Sequence, residues 1–156
     1  GAEGCRESGL KSILQDISVE KVMWDCRESA DALYFQLGIE LTSVFDLQLL
    51  RVVTVEHDKE SSDAQCYKLQ TLQCVAKQVV EADEFLGADG SHVSVCINQR
   101  PFREEVLEHS VNHVVILRKI FEALGADLEP GIKAEVRDAS ARYALFLRAK
   151  LKRSFC

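Results

Sequence analysis

The sequence predicts an α/β fold, with a small parallel sheet flanked by helices. The chain has 156 residues, about one domain, and its 47% hydrophobic and 28% charged residues permit a core and exclude a disordered chain. Only 2 prolines and 8 glycines interrupt it, which favours helices. Two short apolar segments flank an amphipathic stretch between residues 21 and 50. That order favours two parallel strands bridged by a crossover helix.

Apolar spacing and glycine placement define the elements of the first 50 residues. Leucines and isoleucines spaced i, i+3, i+4 and i+7 predict a helix over residues 8–17. Ser29 is a candidate N-cap, and Gly38 stands where a helix ends in the left-handed conformation. The elements that follow are a strand over 21–26, a helix from Ser29 to about Leu37, a strand over 43–46 and a helix starting at Leu47.

The remainder of the chain is predicted to be mainly helical. A polar loop over 56–65 precedes a helix over 66–82 with apolar residues on one side. The later elements are a short strand over 92–97, a helix over 102–124 that follows Pro101 and ends at Gly125, and a last helix from Pro130 to about Lys152. We therefore expect a domain over 1–128 and a C-terminal helical extension over 129–156.

Charge and cysteine content exclude several classes of protein. The net charge of −6 argues against a protein that binds nucleic acid over its whole surface. No run of 18 apolar residues predicts a membrane span, and no signal-like segment begins the chain. The six cysteines form no CxxC pair, so we expect free buried thiols in a reducing compartment, cytoplasm or nucleus. They are Cys5, Cys26, Cys66, Cys74, Cys96 and Cys156.

Five short motifs follow one another between residues 9 and 50. They are Gly9-Leu-Lys-Ser-Ile-Leu14, Lys21-Val-Met-Trp-Asp-Cys-Arg27, Ala30-Asp-Ala-Leu33, Gly38-Ile39 and Val44-Phe-Asp-Leu-Gln48. In this order they resemble the second motif region of the ribonuclease D-like, DEDD-type 3′–5′ exonucleases, which have a ribonuclease H-like fold. A weaker likeness continues through the helix at 69–80 and through 99–117, so the resemblance covers about residues 9–124.

The resemblance implies metal-dependent hydrolysis of nucleic-acid phosphodiesters from the 3′ end. That family uses two Mg²⁺ or Mn²⁺ ions, which prefer hard oxygen ligands, held by four carboxylates. Asp31 matches the second-motif aspartate, and no Asp-x-Glu of the first motif stands in residues 1–8. His109 and His113 occupy the third-motif positions of tyrosine and aspartate. The implied catalytic residues are therefore Asp31, His109 and His113, with Asp31 and His113 as metal ligands.

Two functional hypotheses follow from this partial match. The first is an exonuclease-family member whose hydrolysis is impaired, because a neutral imidazole is a poor ligand for magnesium. The second is an inactive pseudo-nuclease that binds nucleic acid or protein. The expected partner is the 3′ end of single-stranded RNA or DNA, not a membrane. The resemblance also implies that the family's first strands are missing, which predicts a sheet edge covered by a partner chain or a second copy.

Some residues allow a structural and a functional interpretation. His109 and His113, four apart on a helix, suit a shared zinc ion or are simply two partly exposed histidines, and the second interpretation is preferred. Asp25 and Asp46 are expected to bond loop backbone rather than metal. The basic C-terminal residues either bind phosphates or form a solvated helix end. The aromatic side chains beside them are interpreted as core anchors. Those aromatics are Tyr143 and Phe146.

Overall fold

A computed structural model describes residues 9–57, 69–80, 101–125 and 127–146 of the chain. The elements are α1 (Leu10–Gln15), β1 (Lys21–Met23), α2 (Cys26–Leu37), β2 (Val44–Asp46), α3 (Leu47–His57), α4 (Leu72–Val80), α5 (Glu104–Gly125) and α6 (Pro130–Ala144). The strand predicted over 92–97, most of the loop over 56–65 and the end of the last predicted helix lie outside the described residues. The chain divides into two compact units, one over 1–67 and 127–156 and one over 68–126.

The first unit contains a two-stranded parallel sheet, as the sequence predicts. β1 pairs with β2 in the register Lys21 to Val44, Val22 to Phe45 and Met23 to Asp46. α2 is the crossover between them, because parallel strands need a long connection. The α/β class and the small parallel sheet flanked by helices are therefore confirmed.

The bridging helix α2 begins earlier than the sequence predicts. It starts at Cys26, so the prediction that Ser29 is its N-cap is wrong, and Asp25 stands in the capping position. At its other end Gly38 adopts a φ of 62°, the left-handed conformation that glycine takes at little cost. The Gly38 N–H bonds the Tyr34 carbonyl at 3.1 Å, and the N–H of buried Ile39 bonds the Leu33 carbonyl at 3.0 Å. The predicted helix end is thus confirmed.

The last helix, α6, completes the core of the first unit. It contacts β2, α2 and α3, and its buried residues are Val136, Ser140 and Ala144. One apolar cluster is formed by Cys26, Ala30, Leu41, Val44 and Ala144, with Leu14, Met23, Leu33 and Tyr143 packed against it. α6 therefore covers the sheet, and the predicted domain boundary at residue 128 stays a prediction.

The second unit is a pair of packed helices in its described part. α4 lies against α5, and the buried side chains are Val75, Ala76, Val106, Ile116 and Ile120. α5 begins at Glu104, three residues after Pro101, and ends at Gly125 as predicted. The opposite side of α5 carries an exposed apolar stripe of Leu107, Val111 and Val114.

None of the helices in the four described ranges is both long enough and apolar enough to cross a lipid bilayer.

Candidate functional site

Asp46 lies at the carboxyl end of β2 and joins both strand ends to α2. Its side chain is fully buried. Oδ2 accepts the Cys26 N–H at 2.8 Å, and Oδ1 accepts the N–H groups of Gln48 at 2.9 Å and Asp25 at 3.2 Å. A carboxylate that accepts backbone N–H groups at a helix start satisfies donors that have no partner within the helix. Asp46 therefore has the structural role predicted from its position.

Ser140 ties α6 to this strand end. Its Oγ accepts the Asp46 backbone N–H at 2.9 Å and donates to the Val136 carbonyl at 2.6 Å. Ser140 is fully buried, so both bonds are shielded from water. The contact spans 94 residues of sequence and fixes α6 over the end of β2.

Asp25 and Arg27 form an ion pair at the same edge of the sheet. Arg27 Nε donates to Asp25 Oδ1 at 2.7 Å, and Nη2 donates to Oδ2 at 2.8 Å. This bidentate bonding lowers the pKa of the Asp25 carboxyl and raises the pKa of the Arg27 guanidinium. The main partner of the Asp25 carboxylate is thus the Arg27 side chain, and a backbone hydrogen bond from Arg27, of the kind predicted, also lowers its pKa. Asp25 itself has a φ of 50°, a conformation that aspartate tolerates better than most residues.

The Arg27 guanidinium also stacks on an aromatic ring of α6. It lies 4.6 Å from the Tyr143 ring centroid, within the range of a cation–π contact. The Tyr143 hydroxyl donates to Gln48 Oε1 at 3.3 Å. The Phe146 ring lies 6.5 Å from that of Tyr143 and is half exposed. We call Arg27, Tyr143 and Phe146 the basic–aromatic surface.

The sequence predicts that Tyr143 and Phe146 are both core anchors, and the structure agrees for one of them. Tyr143 packs against the apolar cluster and is a core anchor, as expected. Phe146 is 50% exposed, so its interpretation as a core anchor is wrong. Phe146 lies just past Ala144, the last buried residue of α6, and keeps half of its surface in solvent, which the spacing alone did not reveal.

Cys26 is a free thiol buried at the start of α2. Burial, followed by the nearby Asp46 carboxylate, raises its pKa to about 12. A thiol at this pKa is protonated at neutral pH and is a poor nucleophile. The prediction of a free buried cysteine is confirmed at this position.

Asp31 lies on α2, in the first unit, where it is partly buried. His109 and His113 lie on α5, in the second unit. The structure brings the two histidines together on one helix face, with ring centroids 4.2 Å apart. Asp31 belongs to the other unit, so its proposed role beside them stays a prediction.

The histidine pair has a defined local geometry. The rings are tilted by 57°, and His113 Nδ1 lies 2.9 Å from the His109 carbonyl oxygen. Both residues are partly buried. Desolvation, followed by the proximity of His113, lowers the pKa of His109 and favours the neutral imidazole. Within the described ranges, no group of three or more His, Cys, Asp or Glu side chains is placed to hold a metal ion.

Sequence reasoning missed the residues that connect the strand ends. It quoted Arg27 and Gln48 inside motifs but gave them no role, and it gave none to Ser140. A signal was present for Arg27, because an arginine two residues after an aspartate at a strand end suits a bidentate pair. No signal identified Ser140, because its partner lies 94 residues away.

Solved structures share this fold. Ribonuclease D of Trypanosoma brucei in complex with GMP matches with a TM-score of 0.71 and 22% identity, over 88% of this chain and 42% of that one. A second crystal structure of the same enzyme matches with a TM-score of 0.71 and 21% identity, over 88% of this chain and 47% of that one. Its complex with RNA U12 matches with a TM-score of 0.65 and 23% identity over 86% and 45%.

One curated relative is the piRNA biogenesis protein EXD1 of Bombyx mori, with 26% identity over 129 residues, covering 79% of this chain and 38% of that protein. No family model matches the chain. The chain thus spans about two fifths of the curated relative's length and less than half of each solved chain. The resemblance of the second motif region is confirmed at the level of fold: this chain has a ribonuclease D-like, ribonuclease H-like fold over part of that fold's length.

Proposed function

We propose that this chain is a ribonuclease D-type module that binds the 3′ end of single-stranded RNA and hydrolyses it poorly or not at all. The choice of RNA over DNA rests on the relatives: one is named for piRNA biogenesis, and ribonuclease D has been solved with RNA U12. The observation that carries the proposal is the basic–aromatic surface at the carboxyl ends of two parallel strands, where ligands of open α/β sheets bind.

The chemistry of this surface suits single-stranded nucleic acid. A guanidinium has five N–H donors, and the pair with Asp25 uses two of them, which leaves three for a phosphate. The half-exposed Phe146 ring offers a face on which a base stacks, and Tyr143 holds Arg27 beside it. Stacking on aromatic side chains together with arginine contacts is the usual way in which proteins hold unpaired bases.

The described residues of the two units do not supply the ligands that two hard dications need. The carboxylates nearest the strand ends are already engaged, Asp46 with three backbone N–H groups and Asp25 with Arg27. An imidazole, His113, stands at the third-motif position, and imidazole suits Zn²⁺ or Cu²⁺ better than Mg²⁺ or Mn²⁺. The donor set of the described residues therefore does not fit the family's metal pair, and we derive no hydrolytic step from it.

The second candidate is metal-dependent exonuclease activity. It is favoured by the fold likeness, which covers 88% of the chain. In this case Asp31 would bind Mg²⁺ or Mn²⁺, His113 would replace the third-motif ligand and His109 would orient the attacking water. The two candidates differ in whether RNA is shortened, so one experiment separates them.

The experiment uses a 5′-labelled 12-nucleotide oligouridylate with a free 3′ hydroxyl. Fluorescence anisotropy measures binding in EDTA, and a denaturing gel measures shortening after Mg²⁺ or Mn²⁺ is added. We expect saturable binding without shortening. Metal-dependent shortening that Asp31→Ala abolishes would establish the second candidate instead, and absence of both binding and shortening would contradict both.

A second oligonucleotide with a 3′ phosphate tests whether the end is recognised. If the module holds the terminal nucleotide, this oligonucleotide should bind several-fold more weakly than the one with a free hydroxyl. Equal binding of both would show that the chain contacts RNA along its length, which contradicts recognition of the end.

A further inference from the structure

We propose that His109 and His113 form a chelating site for a late first-row transition-metal ion, Zn²⁺, Ni²⁺ or Cu²⁺, on the surface of α5. Its residues belong to the second unit, whereas those of the proposed RNA-binding surface belong to the first, and the proposal does not depend on that function. It also differs from the Mg²⁺ or Mn²⁺ pair implied by the resemblance, because its donors are imidazole nitrogens.

The hydrogen bond of His113 fixes which nitrogen is available. His113 Nδ1 lies 2.9 Å from the His109 carbonyl oxygen, and a carbonyl oxygen only accepts. Nδ1 must therefore carry the proton in this bond, which leaves the Nε2 lone pair free to bind a metal. Histidines that bind metals commonly donate the other ring N–H to a backbone carbonyl, so His113 is already held in the metal-binding tautomer.

The spacing of the pair places both rings on the same side of one helix. Residues four apart are neighbours on a helix surface, and the two ring centroids lie 4.2 Å apart. Chelation by two side chains on one rigid element binds more tightly than either imidazole alone, because the second bond costs little additional entropy.

The surroundings allow an ion to reach the pair. Both histidines are only partly buried, and Ser110, which lies between them in sequence, bonds its own helix through the Val106 carbonyl. The described residues supply no third ligand to the pair, so water would complete the coordination of the proposed site. Imidazole nitrogen is a preferred ligand of zinc, copper and nickel, whereas magnesium and calcium prefer oxygen.

The test titrates the metal-free chain with ZnCl₂ and NiCl₂ and measures heat by calorimetry and the imidazole ¹⁵N shifts by NMR. Before metal is added, the shifts should report a protonated Nδ1 and an unprotonated Nε2 on His113. On titration, the Nε2 signals of both histidines should move together at one ion per chain. His109→Gln and His113→Gln should each weaken binding at this site at least tenfold.

His57→Gln is the matched control, because it removes a histidine from α3 in the other unit and should leave binding unchanged. Circular dichroism of each metal-free variant checks that the helices are intact. The proposal is overturned if His113 carries its proton on Nε2, if the two Nε2 signals do not shift together, or if His57→Gln weakens binding as much as the α5 variants. The tautomer measurement needs no variant, so a variant that fails to fold leaves the proposal testable.

Discussion

The two units of this chain build their polar sites in different ways. In the first unit, Asp46 and Ser140 connect residues that lie 20 to 94 positions apart, and both side chains are fully buried. In the second unit, His109 and His113 interact within a single helix turn and remain partly exposed. The comparison teaches that the strand-end site depends on the whole first unit being folded, whereas the histidine site needs only one intact helix.

The largest expected effect is that of Asp46→Ala on the free energy of unfolding. It would leave three backbone N–H groups without their carboxylate acceptor, one of them that of buried Cys26. Hydrogen bonds to charged groups contribute about 1.5–3 kcal/mol each, so we expect a loss of roughly 4 kcal/mol in urea unfolding. Asp138→Ala, which removes an exposed carboxylate paired with Arg142 on α6, should cost less than about 1 kcal/mol. Equal losses for the two variants would contradict the role of Asp46.

Ser140→Ala and Ser110→Ala form a matched pair across the two units. Both hydroxyls donate to the carbonyl four residues earlier, at 2.6 and 2.7 Å. Only Ser140 also accepts a buried N–H, that of Asp46, which would lose its acceptor. We expect Ser140→Ala to lower the unfolding free energy by about 2 kcal/mol and Ser110→Ala by less than about 0.5 kcal/mol. A smaller loss for Ser140→Ala than for Ser110→Ala would show that the bond between Ser140 and the Asp46 N–H does not stabilise the fold.

The reaction rates of two cysteines, one in each unit, should also differ. Cys26 is buried with a pKa of about 12, whereas Cys74 on α4 is partly exposed. Because the thiolate is the reactive form, iodoacetamide at pH 8 should modify Cys74 at least about tenfold faster than Cys26. Mass spectrometry of the digested protein gives both rates. Similar modification rates for Cys26 and Cys74 in the native protein would contradict the burial of Cys26.

The smallest expected effect is the pH dependence of stability that the Asp25 ion pair of the first unit contributes. The pKa of Asp25 is lowered in the folded state by its bond to Arg27, so its contribution is present above the unfolded pKa of about 4 and is lost as the pH falls through the folded value. Wild type should therefore unfold at higher urea than Asp25→Asn at pH 6, and the two should converge near pH 2. Glu122→Gln, which removes the partner of exposed Arg118, should show little difference at either pH.

Local patterns predicted much of this structure. Hydrophobic spacing predicted the parallel pair around α2, Gly38 predicted the helix end, and the four-residue spacing predicted that His109 and His113 share a face. Each of these depends on neighbours within about one helix turn or one strand, so the sequence contains the signal.

Features that depend on distant residues were missed or wrong. Ser29 looked like an N-cap, but the carboxylate of Asp46 satisfies the start of α2 at Cys26, three residues earlier. The contact of Ser140 with β2 has no local signature. The exposure of Phe146 depends on where α6 leaves the core, which its apolar character does not reveal.

The most direct test of the central claim compares RNA binding by Arg27→Ala and Arg118→Ala. Both variants remove one positive charge, from the basic–aromatic surface and from an exposed site on α5 respectively. We predict that Arg27→Ala weakens binding of the 12-nucleotide oligouridylate at least about tenfold, since hydrogen bonds to a charged group such as phosphate contribute about 1.5–3 kcal/mol, whereas Arg118→Ala binds like the wild type. Equal affinities for the two variants would contradict the claim that RNA binds at the carboxyl ends of the two strands.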